Sequence, residues 1–309
     1  MSELEEEQIV LEDTKPLEPL KRLSPTSINT WYKCPRAFYY QYITKEKVKP
    51  NIHLVKGSVV HKVLEDFYRA YNDKPKAYLK SLFKKAWKSN EKMIKSLEMP
   101  PEELIVHKQD AFRMTMDFHN LHQRKIDALV GIGKAENERH AFYLTKPKFR
   151  EMWVEDKELH CAGFIDRIHE DFNGLITLGD YKTSSKFGIG LPEDYKRQLS
   201  IYALLYNNKE KLMPHFVAVI FLRYGEEFLL EVTPSLLTYA RNTIQDVWAR
   251  TRSAAIIDYP LREGKLCRWC AFQAICNGEE EFKKQKRIDD FKKLAKEEDK
   301  NGTNESKTE

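Results

Sequence analysis

The sequence predicts an α/β fold, a mixed central sheet flanked by helices, from the order in which two hydrophobic periods follow one another along 309 residues. Helical patterns fill the first part of the chain. Three short β-rich runs follow, then a helix, two more strands and a closing helix; a chain ordered this way covers a sheet with helices. Two local signals fix the frame. Asp171-Phe172-Asn173-Gly174 separates two strand patterns and reads as a hairpin turn. Ser24-Pro25 and Thr233-Pro234 each place a capping hydroxyl before a proline, which marks a sharp helix start.

The elements are justified in order. Residues 1–20 are acidic and read as a disordered tail. A helix runs from Ser24 through Ile28 and Trp31 to Cys34, where Pro35 breaks it and an aromatic-rich helix follows over 36–43. Residues 57–70 form an amphipathic pattern that carries His61. The stretches 76–97 and 103–130 are longer helical patterns, and the first is rich in lysine: Lys76, Lys80, Lys84, Lys85, Lys88, Lys92 and Lys95. Strands are expected at Glu138–Thr145, Leu159–His169 and Leu175–Lys182. Asp194–Tyr206 reads as a helix, His215–Arg223 and Glu227–Val232 as strands, and 234–252 as a helix. A loop punctuated by proline and glycine, 258–266, leads into a knot of cysteines, and 278–309 is a charged tail.

Composition narrows the partners. Apolar residues make up 41% of the chain, enough for a sizeable core, and no run of about 18 of them offers a membrane span. The beginning of the chain lacks the basic and apolar regions of a signal peptide, so a cytoplasmic, reducing location is expected. Residues 1–19 carry seven acids and one base, so the remainder holds the excess positive charge of a protein whose net charge is +5. A basic body suits a polyanion, and DNA is the first candidate.

Hydrolytic chemistry is suggested by Asp180-Tyr181-Lys182. Residues i and i+2 of a strand share a face, so a carboxylate and an ammonium stand side by side. Asp166, in Gly163-Phe164-Ile165-Asp166-Arg167, falls on the neighbouring hairpin strand. Two carboxylates on adjacent strands can share a hard cation such as Mg²⁺ or Mn²⁺, which polarises a phosphate and activates water. The lysine would position or deprotonate that water and stabilise developing charge. His61 could complete the metal shell, and an imidazole tilts the preference towards Mn²⁺. Gln198 and Tyr202, at i and i+4 of one helix, could bind phosphates or orient Lys182.

Cys267, Cys270 and Cys276, with the distant Cys34, make four thiolates. Cys₄ zinc and an iron–sulfur cluster compete for them. Zinc sites tend to use two close pairs. The one-plus-three split here fits a [4Fe–4S] cluster better, shielded by Trp269, Phe272 and Ile275. Such a cluster would staple the N-terminal helix to the C-terminal end, closing a long loop much as a disulfide would. Cys161, in an apolar strand pattern, reads as a core residue.

These residues, in this order, resemble the RecB-like branch of the PD-(D/E)XK nuclease superfamily. The resemblance is carried by the 23–40 opening, Gly57-x₃-His61, the Gly163–Arg167 and Asp180–Thr183 segments, and Gln198-Leu199-x₂-Tyr202-Ala203. The cysteine knot is similar to that of the iron–sulfur subgroup, which includes the AddB nuclease domain, CRISPR-adaptation nucleases and viral relatives. The resemblance implies a restriction-endonuclease-like core over 21–277, with a helical insertion at 71–135 and the cysteine cluster at 258–277. It implies metal ligands at His61, Asp166, Asp180 and the Tyr181 carbonyl. It also implies a catalytic Lys182, accessory Gln198 and Tyr202, and a cluster on Cys34, Cys267, Cys270 and Cys276. The activity it implies is metal-dependent exonucleolytic cleavage of DNA, preferring single-stranded ends, in repair, recombination or viral DNA processing. Tyr68, Tyr71, Tyr78 and Trp87, beside the lysine-rich helix, are candidates for stacking on a strand. No G-x₄-G-K-[S/T] motor motif occurs, so any helicase would be a partner. The alternative is a DNA-end-binding subunit serving a helicase or an integrase.

Overall fold

The computed structural model describes residues 20–48, 50–184 and 190–278. The two charged ends read from the sequence as tails, 1–20 and 278–309, fall almost wholly outside the described residues.

Helix α1 (Pro25–Lys33) opens on a reciprocal capping box. Ser27 N donates to Ser24 Oγ at 3.1 Å, and Ser24 N donates to Ser27 Oγ at 2.8 Å. Cys34 then turns to extended backbone and Pro35 starts α2 (Pro35–Phe38), which runs on into a π-helical turn, Tyr39–Ile43. Helix α3 (Ile52–Phe67) begins earlier than its hydrophobic pattern suggests, because the Asn51 side chain caps it by accepting from Leu54 N. Helices α4 (Pro75–Ser89), α5 (Glu91–Lys95) and α6 (Pro101–Gly131) follow.

The segment 138–145 is helix α7 (Glu138–Thr145), not the expected strand. Its alternation over eight residues fits either period. The decision falls to the Asn137 side chain, which accepts from His140 N at 2.9 Å, and to Phe142, which packs on the rings of Phe67 and His122. The first strand instead lies just downstream, at β1 (Phe149–Asp156). Strands β2 (Cys161–Glu170) and β3 (Ile176–Lys182) are joined by the expected turn, where Asp171 Oδ1 accepts from Asn173 N and Leu175 N and Gly174 takes φ +78°. Helix α8 (Glu193–Glu210), β4 (Phe216–Phe221), β5 (Glu226–Glu231) and α9 (Pro234–Arg250), capped by Thr233, complete the described elements of regular length.

The five strands run in sequence order across one sheet, antiparallel except for the parallel β3–β4 pair that α8 connects. Two cores cover it. One is built from α1, α2, α8 and α9 with Leu178, Val217 and Val219. The other is built from α3, α4, α6 and α7 with Tyr181, Ile220 and Leu222. Buried Arg167 runs across the backbone of Gly179, where a Cβ would lie 2.7 Å from its Cγ, and its guanidinium reaches Glu227 at 3.2 Å. Asp110 on α6 ties the second core together by accepting from both terminal nitrogens of Arg223 (2.8 and 2.7 Å) and from Lys56 (2.9 Å).

This packing places the four aromatics near the lysine-rich helix. Tyr68 is fully buried, Tyr71 and Tyr78 pack on the second core, and Trp87 stacks on Phe83. Tyr68 is thus committed to the core, while Tyr71, Tyr78 and Trp87 are half-buried against it. Cys161 is buried in the first core, and burial pushes its thiol up to about 12. Among the described residues no helix is long and apolar enough to cross a membrane.

Candidate active site

Hairpin pairing of β2 and β3 puts Arg167 opposite Gly179, so Asp166 and Asp180 stand next to one another on adjacent strands. Lys182, two residues on, shares the Asp180 face, and its Nζ lies 2.7 Å from Asp180 Oδ2. Helix α8 crosses that face with Gln198 and Tyr202 one turn apart. Lys182 Nζ donates to Gln198 Oε1 at 2.9 Å. The Gln198 amide in turn donates to Asp180 Oδ1 at 2.9 Å and to the Tyr202 hydroxyl at 3.2 Å. His61 enters from α3, donating from Nε2 to the Tyr181 carbonyl at 3.0 Å, with Nδ1 3.5 Å from Asp166 Oδ1. Asp166 is oriented by Tyr181 N, which donates to its Oδ2 at 2.7 Å.

All six side chains, His61, Asp166, Asp180, Lys182, Gln198 and Tyr202, line one cavity of about 520 Å³. Its rim includes the start of α1, so the capping box at Ser24 also fixes one wall.

A further acid belongs to this site and was not found from sequence. The β1–β2 pairs Arg150–Arg167 and Met152–Ile165 flank Glu151 and Asp166, and ligand atoms of His61, Glu151 and Asp166 lie within 4.8 Å of one another. Glu151 has φ +50°, a left-handed conformation that costs a non-glycine residue about 1 kcal/mol or more. The strand signal over 149–156 is diluted by charged residues, and Glu151 became visible only through its cross-strand partner.

Electrostatics follow from crowding acids in a cleft. Burial, with Asp166 adding to it, raises Glu151 to about 7. Burial also raises Asp180, against the pull of Lys182. Burial opposes a charge on His61, but Asp166 and Asp180 outweigh it and lift the imidazole to about 9. Lys182 is likewise opposed by burial, yet Asp180 holds it above its ordinary value, so it is an ammonium. In this arrangement the ammonium is a donor and a positive charge beside Asp180. Burial holds the Tyr202 phenol well above its ordinary value, and the phenol stays neutral.

The site fits a divalent cation. Asp180 Oδ2 is buried, and the Lys182 ammonium lies 2.7 Å from it. Neighbouring ligands on an octahedral cation with bonds of about 2.0–2.1 Å lie about 3 Å apart. His61 Nε2 and the Tyr181 carbonyl, 3.0 Å apart as hydrogen-bond partners, would both face a cation once the imidazole gives up that proton. An imidazole, carboxylates and a carbonyl are a donor set for Mn²⁺ or Mg²⁺.

The cysteines lie elsewhere. Arg36 Nε donates to the Tyr259 carbonyl at 2.9 Å and Arg262 donates to the Tyr32 carbonyl, which draws the 259–262 loop against α1 and α2, beside Cys34. Cys270 and Cys276 pack against the first core, and Gly264 N donates to Cys267 Sγ at 3.4 Å. Of the apolar residues expected to shield them, Phe272 is buried, but Ile275 is exposed and Trp269 is 67% exposed. The shell is thus narrower than the sequence suggests, because the short 3₁₀ turn Cys267–Trp269 points the indole to solvent.

A sheet that presents two carboxylates and an ammonium to a cleft, with an imidazole opposite, is an arrangement suited to divalent-cation-dependent phosphodiester hydrolysis. The chain belongs to the PD-(D/E)XK nuclease superfamily, whose family model matches residues 22–277. It is therefore a nuclease, of a family that uses divalent metals. Among solved structures it is similar to a candidate exonuclease from Eubacterium rectale, with a TM-score of 0.46 and 11% identity, covering 81% of this chain and 87% of that one. No curated protein matches the chain.

Proposed function

We propose that this protein is a metal-dependent DNA exonuclease acting on single-stranded ends, in repair, recombination or viral DNA processing. The observation that carries the reading is the convergence of His61, Asp166, Asp180, Lys182, Gln198 and Tyr202 on one cavity. In this reading 21–277 is the nuclease domain, with 71–135 a helical insertion.

His61, Asp166, Asp180 and the Tyr181 carbonyl would hold Mg²⁺ or Mn²⁺, with Glu151 at the β1 side, and the cation would supply Lewis-acid polarisation and water activation. Lys182 places its ammonium where negative charge builds on the scissile phosphate. Gln198 fixes that ammonium by accepting from it, and fixes Asp180 by donating to it, so one amide sets the spacing of acid and base. The Tyr202 hydroxyl accepts from Gln198 and keeps its own proton for a phosphate oxygen. Glu151 and Asp166, facing one another, repel when both are ionised, which favours capture of a cation between them.

Cys34, Cys267, Cys270 and Cys276 are proposed to hold a [4Fe–4S] cluster that joins the α1–α2 corner to the C-terminal loop. The packing of that loop on α1 and α2 supports this, as does the hydrogen bond from Gly264 N to Cys267 Sγ.

Digestion of matched linear and circular single-stranded DNA tests the exonuclease reading. Linear strands should be degraded in Mn²⁺ and circles should survive. Equal digestion of both would overturn it.

A further inference from the structure

Outward from Asp166, the same sheet face carries an aromatic pair that the chemistry above does not use. Trp153 and Phe164 are cross-strand partners in the β1–β2 ladder, with ring centroids 4.8 Å apart and planes inclined at 58°. Phe164 precedes Asp166 by two residues, so it sits one strand repeat, about 6.6–6.8 Å, along the same face. Both rings line the cavity that holds Asp166, Asp180 and Lys182.

Cross-strand aromatic pairs stabilise a ladder wherever they occur. This one differs in its exposure and its support. Phe164 keeps 51% of its surface open to solvent at the cavity mouth. Trp153 is flanked by Arg22, whose guanidinium lies 4.9 Å from its ring centroid and 3.3 Å from Glu155. The Trp153 carbonyl accepts from Lys209 Nζ at 2.7 Å. The result is an exposed ring on a braced backing, with a cation beside it and a hydrolytic centre one step away.

We infer that Phe164, backed by Trp153, is the stacking platform for an unpaired base next to the scissile phosphate, with Arg22 facing the adjoining phosphate. The inference deepens the nuclease reading above and rests on it. A base inside a duplex has both faces covered by its neighbours, whereas an unpaired base offers a free face to an aromatic ring. The platform therefore supplies a physical reason for selecting unpaired ends. Phe164 is more open to solvent than the aromatics of the lysine-rich region, which pack on the second core.

The test is binding without metal, so that it does not depend on catalysis. Anisotropy of an end-labelled oligothymidylate and of a labelled blunt hairpin duplex would be measured in EDTA for the wild type, Phe164→Leu, Trp153→Leu and Phe164→Tyr. Leucine keeps apolar bulk and removes the π face, and thermal unfolding checks that each variant is folded. The expected result is a loss of affinity of about 5- to 150-fold for the single strand in Phe164→Leu, the range for one stacked base. A smaller loss is expected in Trp153→Leu, wild-type affinity in Phe164→Tyr, and little change for the hairpin. Equal affinity of wild type and Phe164→Leu for the single strand, an equal loss on the hairpin, or no binding by the wild type would overturn the proposal. Failure of the nuclease reading would show separately, as no Mn²⁺-dependent cleavage by wild-type protein.

Discussion

Gln198 accepts a 2.9 Å hydrogen bond from Lys182, and the same amide turns its nitrogen to Asp180. The glutamine thus fixes the ammonium and the carboxylate relative to one another, without itself being ionisable. Gln198→Leu should lower kcat by about 10- to 100-fold with little change in KM, since small misplacements of reacting groups cost on that scale. Steady-state kinetics on a single-stranded substrate check this. A change confined to KM would mean that Gln198 binds substrate and does not position Lys182.

Glu151 holds a strained backbone conformation beside Asp166. Replacing it with glycine relieves the φ and removes a repulsive carboxylate, so Glu151→Gly should not lower the thermal midpoint of the metal-free protein. Its affinity for Mn²⁺ should fall at least about tenfold, as loss of a group that supports a metal site does. Titration calorimetry and thermal unfolding on the same samples read both effects. Unchanged Mn²⁺ affinity would remove Glu151 from the site.

The second core contains His122, whose Nε2 donates to Thr145 Oγ1 at 2.9 Å. Burial, with Arg167 nearby, depresses its imidazole to about 3. A depressed folded value means that stability is fully present above the unfolded value of about 6.5 and is lost as pH falls from there towards 3. His61 acts in the opposite sense, since its raised value contributes at low pH and fades as pH rises through about 9. Glu151, raised to about 7, likewise gains stability as pH falls. The wild-type urea midpoint in EDTA should therefore fall between pH 7 and pH 5 relative to that of His122→Gln, whatever the shared trend. An identical pH dependence in that variant would contradict the assignment.

Cys34 sits where α1 hands over to α2, against the loop that leads to the other three cysteines. If the four hold one cluster, anaerobically purified Cys34→Ala should lose iron and unfold at a lower temperature, because a long loop is no longer closed. Iron content and thermal stability equal to wild type would sink the cluster. A colourless, zinc-loaded protein would assign the thiolates to zinc.

Much of the fold was legible because its signals are local. The caps Ser24 and Thr233 with their prolines, and the Asp171–Gly174 turn, act through neighbouring backbone. The D-x-K spacing guarantees a shared face on any strand. What failed was decided at a distance. Residues 138–145 alternate like a strand, but Asn137 and the rings around Phe142 make them a helix. The charged segment 149–156 becomes a strand only against β2, so Glu151 and Trp153 could not be placed before that pairing was known. Near the lysine-rich helix, the sequence left the aromatics open between a stacking surface and the core, and packing places Tyr68 in the core with Tyr71, Tyr78 and Trp87 half-buried against it.

The central claim is that the Asp180–Lys182 strand performs metal-dependent hydrolysis. The most direct measurement is digestion of end-labelled single-stranded DNA in Mn²⁺ by anaerobically purified wild type and Lys182→Ala, each also assayed in EDTA. The account predicts cleavage by the wild type only with metal, and a loss of at least about 10²- to 10³-fold in Lys182→Ala, the scale of removing one transition-state donor. Cleavage by Lys182→Ala at the wild-type rate, or intact DNA after incubation with folded wild type and Mn²⁺, would contradict it.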